Sequence, residues 1–290
     1  MDLPIVVGVD GSEPSLRAVD WAADEAAVRG VPLRLVYASL WERYEGVCLA
    51  EELGKPSEQV MAEDVVASAE RRARRRQADM KISIDVLPEE PEYALVRESR
   101  TASAVVLGSR GRSGVAEALL GSVSVTVAGH AHCPVVVLRG SHDNQARSGV
   151  RGRIAVGIGD NAESAAAVRF AVDEARLRGV PLDAVRAWRC PAHESIEHGQ
   201  LTGEAARRHA ERAAEVLEAA LRDVPADVEV RRRTVEGSAR QVLSAVSAEA
   251  DLLVVGARRR EGHHGLQLGR VAHAVLHHAA CPVAVVPQRA

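Results

Sequence analysis

Aromatic residues are scarce in this chain of 290 residues: they make up 2% of the sequence, against 47% for all hydrophobic residues. Ala, Val and Leu must therefore fill the core, which favours close-packed helices on a buried sheet over an aromatic-rich sandwich. An excess of charge of one sign is also lacking. With a net charge of −3, the chain has no global electrostatic attraction to nucleic acid or to an anionic membrane, and neither is expected as a partner.

The sequence also lacks cysteines at metal-site spacing and an apolar run long enough to cross a bilayer. Its four cysteines, Cys48, Cys133, Cys190 and Cys281, show no C-x-x-C pattern. Cys133 and Cys281 each precede a proline and a terminal apolar strand, so we expect both to be small buried hydrophobic residues. The opening MDLPIVVGVD enters a predicted strand at once, without the basic flank of a signal peptide. We therefore expect a cytoplasmic protein without a membrane partner.

What the sequence does contain is a long internal repeat. Residues 5–9, IVVGV, correspond to residues 154–158, IAVGI, at an offset of 149. Near the end of each copy the offset is 148, so that HCPVVV matches ACPVAV. A period of this length indicates a duplicated domain rather than a solenoid unit. We predict domains over residues 1–140 and 152–290, joined by a polar linker over 141–151.

Each copy alternates short apolar strands with helical segments. In the first copy the strands are predicted near residues 4–9, 33–39, 81–86, 103–108 and 134–138. The helices are predicted near residues 14–29, 57–79, 91–101 and 122–131. Near-continuous β-branched runs are typical of parallel strands that are buried on both faces. We therefore predict an α/β protein with two tandem, doubly wound, flavodoxin-like domains. Each has a five-stranded parallel sheet in the order 3-2-1-4-5 and helices on both faces.

The two strand ends that flank the predicted ligand crevice have unusual sequences. In a sheet of this order, ligands bind beyond the carboxyl ends of the first and fourth strands, where the strand order reverses. These strands end in DGS at residues 10–12 and in GSRG at residues 108–111. Glycines allow backbone amides to approach phosphate oxygens, and Arg110 and Arg112 can add charge-assisted hydrogen bonds. The pattern favours an anionic, ribose-bearing ligand.

Two side chains extend this interpretation. Asp10 is expected to accept hydrogen bonds from sugar hydroxyls, or to act on phosphates indirectly through Mg²⁺ and water. Ser122 is placed to begin the last long helix of the first copy, where free amides and the helix dipole favour an anion. Its hydroxyl is expected either to cap that helix or to donate to a phosphate. The chain has no Walker lysine pattern and no G-x-G-x-x-G after the first strand, which excludes a P-loop and a standard dinucleotide site.

The pattern Gly108-x2-Gly111-x9-Gly121-Ser122, together with VVGVDGS at residues 6–12, resembles the ATP-binding members of the universal stress protein family. The tandem arrangement resembles the two-domain form common in actinobacteria, and the resemblance covers the chain apart from the linker. It implies a nucleotide-dependent stress regulator with ATP, accompanied by Mg²⁺, as its ligand and with an unidentified protein partner.

The resemblance also implies roles for individual residues. Asp10 and Gly108 are expected to contact the ribose, and backbone near Tyr37 and Ala38 to read the adenine. The implied phosphate-binding residues are Ser109, Arg110, Gly111, Arg112, Gly121, Ser122 and Val123. Gly11 and Ser12, in the turn after Asp10, are also expected to belong to the nucleotide site. Family members pair through their last strand, which implies an internal pseudo-dimer through residues 134–138 and 282–286, and leaves a homodimer of chains open.

The second copy departs from the pattern at three positions. Gly159 replaces the ribose acceptor, Arg259 replaces the second phosphate-loop glycine, and Arg270 replaces the serine that begins the last helix and is expected to remove its cap. We predict a degenerate structural or regulatory domain, with a different anion as the alternative because residues 257–264 are basic. The second copy has fewer glycines after its fourth strand. We therefore expect that the fold alone does not require the glycines after the fourth strand of the first copy.

Other side chains that could carry chemistry have simpler explanations. Ser12, Ser109 and Ser122 lack an evident histidine partner, so we predict no enzyme beyond slow ATP hydrolysis. The alternatives are a true ATPase and an interaction protein that binds no nucleotide, its crevice closed by Glu89 or Glu90.

Carboxylates and arginines within the helices are expected to face solvent. They are the pairs Asp24-Glu25 and Asp173-Glu174, each in the middle of a predicted helix, and the basic run RRARRR at residues 71–76.

Overall fold

The apolar β-branched runs form parallel strands in the computed structural model, which describes residues 2–40, 57–111, 120–139, 151–159, 164–190, 202–257 and 268–288. These residues form two compact units, one ending at residue 139 and the other beginning at residue 151. The predicted linker lies outside the described residues, apart from Arg151.

The first unit has five strands and four helices among its described residues. The strands are β1 (Ile5–Gly8), β2 (Leu33–Ala38), β3 (Ile82–Leu87), β4 (Ala104–Gly108) and β5 (Val135–Leu138). The helices are α1 (Glu13–Arg29), α2 (Ser57–Arg76), α3 (Pro91–Glu98) and α4 (Ser122–His130). The sheet is parallel in the order β3-β2-β1-β4-β5, which confirms the predicted order. A short 3₁₀ turn over Ser99–Thr101 replaces the predicted end of α3.

The second unit repeats this arrangement. Its strands are β6 (Ile154–Gly157), β7 (Leu182–Trp188), β8 (Val230–Glu236), β9 (Leu252–Ala257) and β10 (Val283–Pro287). Its helices are α5 (Ala165–Arg178), α6 (Thr202–Ala220), α7 (Ala239–Ser247) and α8 (Arg270–His278). The order of the parallel strands is β8-β7-β6-β9-β10, which is equivalent to that of the first unit.

Small and β-branched side chains form the core of each unit, as the composition predicts. Ile5 and Ile154, at equivalent positions on the central strands β1 and β6, are fully buried. In the first unit α1 packs against α2, and α3 packs against α4, so that helices cover both faces of the sheet. Cys133 and Cys281 are buried as predicted, and burial raises the pKa of the Cys281 thiol to about 12.

Several charged side chains that were expected to face solvent are buried instead. Asp24 is 2% exposed and accepts a hydrogen bond of 2.7 Å from Nη2 of Arg76 on α2. Glu174 is fully buried and is bonded to Arg178 one turn later at 2.7 Å. The solvated interpretation is therefore wrong for these carboxylates and for Glu25, although Asp173 is exposed as expected. The sequence around Asp24 gives no sign of this pairing, because its partner Arg76 lies about 50 residues away in the chain.

Candidate functional site

A cavity of about 470 Å³ opens at the carboxyl ends of β1 and β4, where the strand order reverses. We call it the first crevice. Eight of the thirteen predicted site residues line it: Asp10, Ala38, Gly108, Arg110, Gly111, Gly121, Ser122 and Val123. Four others, Gly11, Ser12, Tyr37 and Ser109, are described but do not line it. Arg112 lies outside the described residues.

Asp10 is held in place by the turn that follows β1. The backbone N–H and the hydroxyl of Ser12 both donate to Oδ1 of Asp10, at 3.0 and 2.6 Å. The same Ser12 hydroxyl accepts from the amide of Ser15 and so caps α1. Gly11 adopts φ +80°, a conformation that favours glycine, which allows this tight turn. Gly11 and Ser12 therefore orient the carboxylate from behind.

The three glycines near the carboxyl end of β4 differ in what a larger side chain would contact. A Cβ built on Gly108 would lie 2.6 Å from the carbonyl carbon of Pro14 and 2.8 Å from the amide nitrogen of Ser15. Because both are backbone atoms at the start of α1, the packing of β4 against that helix demands glycine here. The expectation that the fold alone does not demand these glycines is therefore wrong for Gly108.

Gly111 and Gly121 are not constrained by backbone in this way. A Cβ on Gly111 would lie 2.6 Å from Oδ2 of Asp10, the end of a side chain. Among the described residues, a Cβ on Gly121 would meet nothing nearer than Cα of Arg110, at 3.5 Å, which is an ordinary contact. Packing against the described part of the chain therefore does not require glycine at position 121.

The start of α4 differs from the expected capped helix. Gly121 is its N-cap residue and offers no side chain, while Ser122 is the first helical residue. The hydroxyl of Ser122 donates to Oε1 of Glu92 at 3.2 Å. The capping role considered for Ser122 is therefore wrong. Because no side chain caps this helix, its first amides remain available at the crevice wall.

Neither Glu89 nor Glu90 lines the first crevice. Glu89 forms an ion pair with Arg97 on α3, and Glu90 is the N-cap residue of that helix. The proposed closure of the crevice by either carboxylate is therefore wrong. Glu92, in the first turn of α3, is the carboxylate that reaches Ser122. The sequence interpretation missed it because the direction of α3 decides which of three nearby glutamates approaches the site.

A second arginine lies close to Arg110. Burial, together with repulsion from the Arg110 guanidinium, lowers the pKa of Arg139, the residue after β5. Arg110 lines the first crevice and Arg139 does not, so that one guanidinium of the described lining favours an anionic ligand. The sequence interpretation missed Arg139 because it follows the strand beside β4 and is separated from Arg110 by about 30 residues.

The second unit has an equivalent cavity of about 450 Å³, which we call the second crevice. The amide of Gly159 donates to the hydroxyl of Ser164 at 2.9 Å, just as the amide of Asp10 donates to that of Ser15 at 3.4 Å. Gly159 therefore does stand at the position of Asp10. Gly269, with no side chain, is the N-cap residue of α8.

The expectation that Arg270 removes a helix cap is therefore wrong, because α8, like α4, has a glycine as its N-cap residue. Arg270 instead becomes part of the crevice wall. Arg259, the predicted replacement for the phosphate-loop glycine, lies outside the described residues.

Across the described residues, no three His, Cys, Asp or Glu side chains come together as a group that could hold a metal ion. Nor does any helix in the same part of the chain have the length and apolar character needed to cross a membrane.

The chain is similar to known proteins over its whole length. A universal stress protein of Mycobacterium tuberculosis is 36% identical over 303 residues, covering 98% of this chain and 97% of that protein. A second one from the same organism is 32% identical over 312 residues, covering 99% and 96%. The crystal structure of a universal stress protein from Archaeoglobus fulgidus matches the fold with a TM-score of 0.68 at 19% identity, covering 99% of this chain and 98% of that one.

A family model, that of the universal stress protein family, matches the chain twice, over residues 3–139 and 151–287. Both copies of the repeat are therefore accounted for by one family, and the relatives extend across the two copies together. The chain belongs to the universal stress protein family, in its tandem two-domain form.

Proposed function

We propose that the first unit binds an adenine nucleotide, with ATP accompanied by Mg²⁺ as the ligand, and that a protein partner responds to its occupancy. The observation that carries the proposal is that the first crevice combines an anchored carboxylate, Asp10, with the uncapped start of α4 and the guanidinium of Arg110. A ligand with a hydroxyl-bearing sugar and an anionic tail matches this combination.

The carboxylate of Asp10 is suited to hydrogen bonding with sugar hydroxyls rather than to neutralising the charge of phosphates. Ser12 occupies Oδ1 of Asp10 with two hydrogen bonds, and Oδ2 is directed toward Gly111. A carboxylate oxygen accepts readily from sugar hydroxyls but repels phosphates. The apolar wall formed by Val36 and Ala38 on β2 offers a surface for the base.

The start of α4 is suited to phosphates. The first amides of α4 and the missing side chain at Gly121 allow phosphate oxygens to approach the backbone closely. Arg110, in the lining of the crevice, supplies compensating charge. Asp10 is the carboxylate that lines the described part of this crevice, so Mg²⁺ would bind through the phosphates and water, not in a cage of side chains.

The partner would read the mouth of the crevice, where Ser122 and Glu92 meet. A phosphate that accepts a hydrogen bond from the Ser122 hydroxyl replaces Glu92 as the acceptor of that hydroxyl. This exchange changes both the charge and the hydrogen bonding of this surface. A ligand shifts a partner's affinity only through such a difference between the bound and free states. This regulatory step rests on nucleotide binding.

The test is a titration of ATP, with Mg²⁺, against the full chain and two variants. Asp10→Ala is expected to weaken binding by roughly ten- to a hundredfold, because it removes charge-assisted hydrogen bonds worth about 1.5–3 kcal/mol. Gly111→Arg is expected to abolish measurable binding, since it places a long side chain in the crevice; the second sequence copy carries Arg259 at the corresponding position. Asp173→Ala, at an exposed carboxylate on α5, is the matched control and should bind as the wild type does.

Calorimetry gives the affinity and the stoichiometry, and a phosphate-release assay on the same samples measures turnover. A wild-type chain that binds no ATP, or an Asp10→Ala variant that binds it undiminished, would contradict the proposal. Fast, saturable ATP turnover would favour the ATPase alternative over a binding protein.

A further inference from the structure

The second crevice keeps its size, while its described lining becomes cationic. Its volume is about 450 Å³ against about 470 Å³ for the first crevice. The described lining of the first crevice carries one carboxylate, Asp10, and one guanidinium, Arg110. The described lining of the second carries two guanidiniums, Arg186 and Arg270, and no carboxylate. A copy retained only for packing has no evident reason to keep an open cavity and make it cationic.

Four substitutions around the second crevice act in the same electrostatic direction. Gly159 removes the carboxylate of Asp10, and Arg186 replaces the neutral Tyr37 at the end of the second strand of the unit. At the mouth of the crevice, Arg240 and Arg270 replace Glu92 and Ser122, the two side chains that are hydrogen bonded in the first unit. Each of these four changes removes a negative charge or adds a positive one, whereas Pro287 in place of Arg139 removes a positive charge farther from the lining.

The two lining arginines are held differently. Nη1 of Arg186 donates to the carbonyl oxygen of Ile158 at 3.0 Å, which fixes this guanidinium at the end of β6. Arg270 is exposed at the first position of α8, and in the described part of the chain it forms no ion pair with a carboxylate. The first residues of α8 line the same cavity. The N-cap residue of α8, Gly269, has no side chain that could accept hydrogen bonds from their amides.

From these observations we infer that the second crevice binds a compact phosphate-type polyanion, such as a pyrophosphate group, through Arg186, Arg270 and the first amides of α8, without recognising a ribose. Guanidinium groups match the geometry of phosphate oxygens, and a helix N-terminus adds backbone donors and a favourable dipole. The missing carboxylate at Gly159 removes the acceptor that a ribose would need. The two units would therefore bind different anions in cavities of similar volume.

The test is calorimetric titration of inorganic pyrophosphate into the full chain carrying Gly111→Arg, which closes the first crevice. One site per chain is expected. Adding Arg270→Ser, which copies the first unit, should weaken binding roughly tenfold, because one charge-assisted contact is lost. Adding Arg186→Gln should have an effect of the same size. Arg212→Ser, at an arginine of α6 whose side chain is 78% exposed, changes the net charge equally and should leave the affinity within about twofold.

The same titrations in the wild-type chain, with the first crevice filled by ATP, separate this inference from the proposed function. Absence of saturable pyrophosphate binding in both backgrounds overturns it. An equal loss of affinity in Arg212→Ser also overturns it, since the effect would then be one of net charge alone. Binding of AMP to the second crevice more than tenfold tighter than inorganic phosphate would identify a nucleotide site and overturn the absence of ribose recognition.

Discussion

In the first crevice Asp10 faces Gly111, and Ser122 begins the last helix. In the second crevice Gly159 stands in the place of Asp10, and Arg270 in the place of Ser122. The backbone beneath these side chains is nevertheless the same. In both units a serine at the end of the third helix accepts from the amide just before the last strand: Ser99 from His132 at 2.9 Å, and Ser247 from Ala280 at 2.8 Å. The fold has therefore been preserved where contacts hold the backbone, while the crevice wall has changed.

One ion pair between neighbouring strands is present in both units, but the signs of its two charges are exchanged. Nε of Arg34 on β2 lies 2.6 Å from Oδ2 of Asp85 on β3, and this hydrogen bond raises the pKa of Arg34. At the equivalent positions of the second unit, Asp183 on β7 and Arg233 on β8 are reversed in sign, with Oδ2 and Nη1 3.7 Å apart. Complementarity across the two strands is kept even though each charge is exchanged.

The largest effect that we expect concerns the buried ion pairs at equivalent positions of α1 and α5. Arg178 and Glu174 are 11% and 0% exposed, while Arg29 and Glu25 are 21% and 3% exposed. Arg178→Met should lower the free energy of unfolding by about 3 kcal/mol, because it removes the cation bonded to a fully buried carboxylate. Arg29→Met should cost less, about 2 kcal/mol, because water reaches that pair more easily. Urea denaturation of both variants gives the two values.

Arg212→Met is the control for the arginine change itself, since its side chain is 78% exposed on α6. It should alter stability by less than about 0.5 kcal/mol. Equal losses for all three variants would show that the burial of these pairs does not determine their contribution.

A second, smaller effect distinguishes the glycines of the first crevice. Gly108→Ala should lower the free energy of unfolding by about 1–3 kcal/mol, because its Cβ would lie 2.6 Å from backbone of Pro14. Gly121→Ala should leave stability almost unchanged, because its Cβ would meet ordinary contacts, but it should weaken ATP binding. Thermal unfolding and ATP titration of the same two proteins measure both effects. A large loss of stability in Gly121→Ala would show that this glycine serves the fold.

The smallest effect tests the reversed ion pair by a double-mutant cycle. Arg34→Asp and Asp85→Arg alone should each destabilise the first unit by about 1–2 kcal/mol, since each places like charges on neighbouring strands. The double variant, which copies the second unit, should recover part of this loss. Recovery should be incomplete because Arg34 also bonds Glu98 at 2.9 Å. Additive losses in chemical denaturation would mean that the two side chains do not interact.

The arrangement of strands was predictable because each strand carries its own evidence. Runs such as IVVGV and AVVLG are buried on both faces, and the predicted helix starts at residues 57, 91 and 122 agree with α2, α3 and α4. The position of the first crevice followed from the strand order alone. Eight of the predicted site residues line it, of which Asp10 and Gly108 were also indicated by the strand ends, while Ala38 and Val123 were implied only by the family resemblance.

Contacts between distant segments were not predictable in the same way. Asp24 belongs to a helix whose pattern places it among polar residues, yet Arg76 on another helix makes it a buried partner. The role of Glu92 depended on the direction in which α3 leaves its turn, and that of Arg139 on the strand that neighbours β4. Such partners become visible only when segments that are remote in the chain lie side by side.

The amino-acid sequence by itself determined the duplicated α/β fold, the order of its strands and the edge of the sheet at which the crevices open, because apolar periodicity and strand-end chemistry are local properties. The tertiary structure alone decided which glycine packing requires, which glutamate reaches Ser122 and how the second crevice acquired two arginines without a facing carboxylate in its described lining. These outcomes depend on distances of a few ångströms between chain segments, and no pattern within a single segment encodes them.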